Sequence, residues 1–121
     1  MATAPVYYFY LWSHRFVLDS TDKIVARTCF GITTNPVQRV LGYEGHVGHS
    51  VHMHRMWQGP ERLIRELESR IKSDFFAQLV VGTNSARYEW IDETVTLEQI
   101  VQWTEWEVAN RFGKITEYTH T

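Results

Sequence analysis

Arg39 stands eight residues after Gly31 and four after Asn35, in the run Cys29-Phe30-Gly31-Ile32-Thr33-Thr34-Asn35-Pro36-Val37-Gln38-Arg39. Residue types in this order can hold a cation over a phosphate. Ile24-Val25-Ala26 and Cys29-Phe30 are β-formers, Gly31 lets a second backbone come close, and Asn35-Pro36 fits a helix N-cap followed by proline at the first helical position. A guanidinium one turn into that helix can make bidentate hydrogen bonds to a phosphodiester and stabilise charge that develops as it is cleaved. Tyr43 follows Arg39 by four residues, on the same face if the helix continues that far. A second concentration lies just beyond, where His46, His49, His52 and His54 fall within nine residues and Arg55 is adjacent. Such spacings suit zinc, but no Cys pair accompanies them. A polar loop whose His and Arg side chains contact phosphates is the better reading.

The elements that must position these groups can be read from residue type and periodicity. Val6 to Val17 is aromatic and β-branched apart from Ser13-His14-Arg15 and predicts a first strand. Asp19-Ser20-Thr21-Asp22 is a turn by composition, and Lys23 to Ile32 predicts the antiparallel return strand. A turn centred between Ser20 and Thr21 pairs residues whose numbers sum to about 41, which sets Trp12 opposite Cys29 and puts Tyr8 and Tyr10 on one face with Tyr7 on the other. Asn35 to about Leu41 reads as a short helix, and Tyr43 to Trp57 as irregular chain. Pro60 to about Lys72 carries Leu63, Ile64, Leu67 and Ile71 at helical spacing. Phe75 to Val81 and Tyr88 to Ile91 are strand candidates separated by the turn Gly82-Thr83-Asn84-Ser85. Thr94 or Thr96 can cap a last helix with Ile100, Val101, Trp103 and Val108 on its apolar side; Gly113 ends it, and Lys114 to Thr121 reads as a frayed tail. On these grounds residues 1–121 make a single α+β domain, with a small mixed or antiparallel sheet of three to four strands flanked by three helices.

Bulk composition narrows the function classes. A chain of 121 residues holds one core but not a nuclease with a separate DNA-binding domain. The formal charge of −2 means that any basic footprint for nucleic acid must be local. A lone Cys excludes an internal disulfide and fits a reducing cytoplasm, and no apolar run is long enough to span a membrane.

The order strand, Gly31, Asn35, Arg39 resembles the GIY-YIG endonuclease family, and the resemblance extends from about Val6 to Asn110. It implies a metal-dependent DNA endonuclease of the small, phage or mobile-element (homing) kind, working in a bacterial or phage-host cytoplasm. Its catalytic set would be a tyrosine on the first strand, Arg39, Tyr43 and an acidic residue on the last helix. Tyr10 is the first choice for the tyrosine and Tyr8 the second, because both share the face of Cys29, which occupies the position of the second motif tyrosine. Glu105, three residues before the apolar Val108, would bind Mg²⁺ or Mn²⁺, which keeps most of its waters and needs few protein ligands. Asn35, His52, His54 and Arg55 would contact DNA. Specificity would come from a homodimer or a separate DNA-targeting partner. Neither tripeptide of the family name is literal in this chain, and the family's late Asn has no clear counterpart. A non-cutting domain of the same fold, binding nucleic acid or protein, is therefore the alternative reading.

Overall fold

A computed structural model of the chain describes residues 5–18, 24–35, 52–80 and 89–118. Among these residues six strands form one sheet with every neighbouring pair antiparallel: β1 (Tyr7–Leu18), β2 (Ile24–Thr33), β3 (His52–Gly59), β4 (Leu79–Val80), β5 (Glu89–Ile91) and β6 (Thr116–Tyr118), in the order β4-β5-β2-β1-β3-β6. Two α-helices accompany the sheet, α1 (Glu61–Asp74) and α2 (Leu97–Arg111), with a short 3₁₀ turn at Phe76–Gln78. The α+β class stands as expected; the sheet is larger than the three to four strands expected from local pattern. Of the helix expected from Asn35 to about Leu41, every residue after Asn35 lies outside the described residues.

The hairpin register follows the sum of 41: Trp12 pairs with Cys29 and Tyr10 with Gly31, and a bulge between His14 and Val17 shifts the pairing nearer the turn. Alternation along β1 then separates two apolar clusters. Phe9 and Leu11 join Phe30, Trp57, Ile91 and the helices, whereas Tyr10 and Trp12 join Cys29 and Met56 on the other face. Because both faces of β1 and β2 are covered, these strands read as continuous apolar runs rather than as a clean alternation.

Two differences from the sequence expectations have the same physical cause. Tyr43 to Trp57 was expected to be irregular, yet its last six residues, from His52, belong to β3 (His52–Gly59), hydrogen-bonded between β1 and β6. Lys114 to Thr121 was expected to fray, yet Thr116–Tyr118 pairs with Met56–Gln58. In both segments pairing with a distant strand overrides weak local propensity. Within the strand expected over Phe75 to Val81, Phe75 caps α1, Phe76–Gln78 is the 3₁₀ turn, and Leu79–Val80 forms β4 among the described residues.

Helix α1 buries Ile64, Leu67 and Ile71, one face at helical spacing, and each such side chain contributes about 1.5–3 kcal/mol of burial. Helix α2 starts at a reciprocal cap. Gln99 N–H donates to Thr96 Oγ1 at 3.2 Å, and Thr96 N–H donates to Gln99 Oε1 at 2.9 Å. Of the two candidate caps, Thr96 is the one used. Thr96→Ala is expected to cost about 1 kcal/mol, read as a lower urea midpoint with an unchanged m-value. No helix among the described residues is long and apolar enough to cross a membrane.

Candidate functional site

The Gly31 junction has a specific steric reason. A Cβ built on Gly31 would stand 2.2 Å from Tyr10 Oη and 2.6 Å from Tyr10 Cζ, so the phenol lies directly on the glycine backbone. Tyr10 is fully buried and stacks on Trp12 with centroids 4.3 Å apart. Cys29 is buried beside them and Met56 completes the cluster. Tyr8, on the same face, is only partly buried; it meets the ring of Tyr118 edge-on at 5.3 Å and pairs with Thr33. Beyond Thr33 the chain turns, with Asn35 N–H donating to Thr33 Oγ1 at 3.0 Å and Thr33 Oγ1 donating to the Asn35 carbonyl at 3.2 Å. Thr33 thus shapes the exit from β2, a role that strand composition gave no reason to assign.

Arg55 and Glu105 belong to the other face. Arg55 follows the alternation of Trp57, over whose ring its guanidinium carbon sits at 5.2 Å. It forms a two-pronged ion pair with Glu117, Nη2 to Oε2 at 2.7 Å and Nε to Oε1, and reaches Glu105 Oε1 through Nη1 at 3.2 Å. The hydrogen bonds that Arg55 donates to Glu117 hold its pKa above the ordinary value, with Glu105 adding to the effect. Arg55, expected to contact DNA, thus fastens β3 to β6 and to α2. Glu105, expected to hold a metal, has this guanidinium as its partner. Across the hairpin, Arg27 Nε donates to Glu93 Oε2 at 3.1 Å; the Glu93 carboxyl is held below its ordinary pKa first by its own backbone N–H and then by Arg27.

The fold therefore brings together Tyr8, Tyr10, Gly31 and the Thr33–Asn35 turn, and it does not bring Glu105 to them. The sheet itself separates the two groups. Arg39 and Tyr43, with His46 and His49, lie outside the described residues. His52 and His54 have backbone in β3, and their side chains are likewise outside the described set. Among the described residues no three His, Cys, Asp or Glu side chains gather as a metal site.

Glu107 is a charged group of the interior: it is only 3% exposed and is gripped by Arg70 Nε at 3.1 Å and Arg111 Nε at 3.0 Å. Arg111 at the i+4 position was the available signal; Arg70 comes from α1 and leaves no trace in local sequence.

No family model matches the chain, and neither the curated proteins nor the solved structures include a match.

Proposed function

We propose that this protein is a GIY-YIG-like endonuclease that hydrolyses DNA phosphodiester bonds with Mg²⁺ or Mn²⁺, with Tyr8 as the phenol that meets the substrate. The observation that carries this reading is the hairpin register. It sets the tyrosine strand against Gly31–Thr33, with Tyr8 opposite the residue from which the chain departs toward Arg39. Tyr8 and the departing segment thereby share one end of the hairpin, whereas Tyr10 is enclosed and serves to fit Gly31. In the proposed reaction water attacks the phosphorus, Tyr8 orients it, and Arg39 offsets the negative charge that builds on the phosphoryl oxygens. The metal would polarise the phosphate and stabilise the leaving oxygen. Glu105, on the opposite face and paired with Arg55, is given no part in holding it.

Incubation of the purified protein with supercoiled plasmid and Mg²⁺ or Mn²⁺ tests this reading. Cleavage is expected, reduced about 10²–10³-fold by Arg39→Ala, as for loss of a group that stabilises transition-state charge. A clear loss is expected for Tyr8→Phe and none for Glu105→Gln. Loss of cleavage in Glu105→Gln with folding intact would return that carboxylate to the site.

A second reading is favoured by the enclosed Tyr10 and the ion-paired Glu105: a domain that binds nucleic acid or protein without cutting. Retardation of DNA with no cleavage in either metal would select it.

A further inference from the structure

A cleft of about 620 Å³ opens between the end of α1 and the start of α2. Phe75 and Trp103 form two of its walls, edge to face with centroids 5.6 Å apart and planes at 71°. Asp74 Oδ2 accepts the Trp103 indole N–H at 2.8 Å, which fixes the indole and leaves the carboxylate further acceptor capacity. Gln78 and Gln102 line it as well, as does Gln99, whose carboxamide oxygen is engaged in the cap of α2. Among the described residues Asp74 is the one charged side chain lining the cleft.

These groups select by charge. With a carboxylate and no cation among the described residues on its walls, the cleft disfavours phosphate. A cation is attracted both by the carboxylate and by the negative faces of the aromatic rings. A guanidinium fits better than an ammonium, because it is planar, stacks on an indole and can bond a carboxylate through two N–H groups. Carboxamide oxygens at the rim can accept its remaining N–H groups. We propose that this cleft binds an arginine side chain presented by a partner polypeptide. The proposal is independent of nuclease activity.

The test uses the ¹⁵N-labelled full chain and the indole N–H resonance of Trp103, identified by its disappearance in Trp103→Phe. The probe is acetyl-Gly-Arg-Gly-amide, with lysine and citrulline versions and maltotriose as comparisons. A saturable shift with the arginine peptide is expected, with a Kd on the order of 1 mM for so small a contact. The lysine peptide should bind several-fold more weakly, and citrulline peptide and maltotriose should leave the resonance in place. Asp74→Asn keeps an acceptor for the indole and is expected to weaken arginine binding at least tenfold. An unmoved resonance with the arginine peptide would overturn the proposal. So would equal responses to arginine and citrulline, a shift with maltotriose alone, or binding undiminished in a folded Asp74→Asn. A lysine response as strong as arginine's would overturn the guanidinium assignment. The citrulline comparison needs no variant and decides the matter even if Asp74→Asn fails to fold.

Discussion

Gly31→Ala is expected to destabilise the protein by about 3 kcal/mol, the upper end of the usual cost of overpacking a core. The added methyl would have to displace Tyr10 Oη and Cζ, and that ring is fully buried against Trp12 with no open side into which to swing. Tyr10→Phe in the same chain removes the nearest of the two atoms and leaves Cζ at 2.6 Å from the new Cβ. The double variant should therefore recover part of the loss, on the order of 1 kcal/mol of coupling, and not all of it. Urea denaturation of the wild type, both single variants and the double variant measures the cycle. Additive losses would show that the ring moves aside without cost.

The second large effect concerns Glu107 and is asymmetric. Its side chain is 3% exposed, whereas Arg70 and Arg111 are 36% and 48% exposed. Removing the carboxylate leaves two cations that already reach water, so Glu107→Gln should cost only about 1–2 kcal/mol, the desolvation of one imperfectly paired amide. Removing both arginines strands a charge in the interior. Arg70→Ala with Arg111→Ala should cost about 3–5 kcal/mol, the range for a buried ion pair broken from one side. Thermal and urea unfolding of the three chains at neutral pH would show the order. A Glu107→Gln loss as large as that of the double arginine variant would mean that the guanidinium groups depend on burial more than their exposure indicates.

The hairpin was legible in the sequence because its turn and its β-formers are local: the polar run Asp19 to Asp22 fixed the pairing of Trp12 with Cys29 seven residues away along the strand. Helix α1 was legible through the spacing of Ile64, Leu67 and Ile71, and the cap of α2 as one of two threonines, Thr94 or Thr96, of which the fold uses the second. What failed was non-local. His52-Met53-His54-Arg55 carries little strand propensity and becomes a strand because β1 offers it partners. Face and burial also escaped local pattern. Alternation correctly put Tyr8 and Tyr10 together, but it could not show that Tyr10 is enclosed while Tyr8 is not. Glu105 was placed by its distance from Val108 along a helix; its sheet face depends on how α2 docks, which that spacing does not encode.

The strand order also prescribes a sequence of events during synthesis. Among the described residues β1 and β2 precede the other strands and occupy the middle of the sheet; β3 joins beside β1, β5 joins beside β2 and only then gives the earlier-made β4 a partner, and β6 joins beyond β3. A ribosome that has released the chain as far as Gly59 can thus have a three-stranded core of the sheet in place, while Phe9, Leu11, Phe30 and Trp57 still lack the helices that cover them. The nascent protein would present that bare aromatic surface until α1 and α2 emerge. Chaperone demand should therefore be highest between the emergence of Gly59 and that of α2.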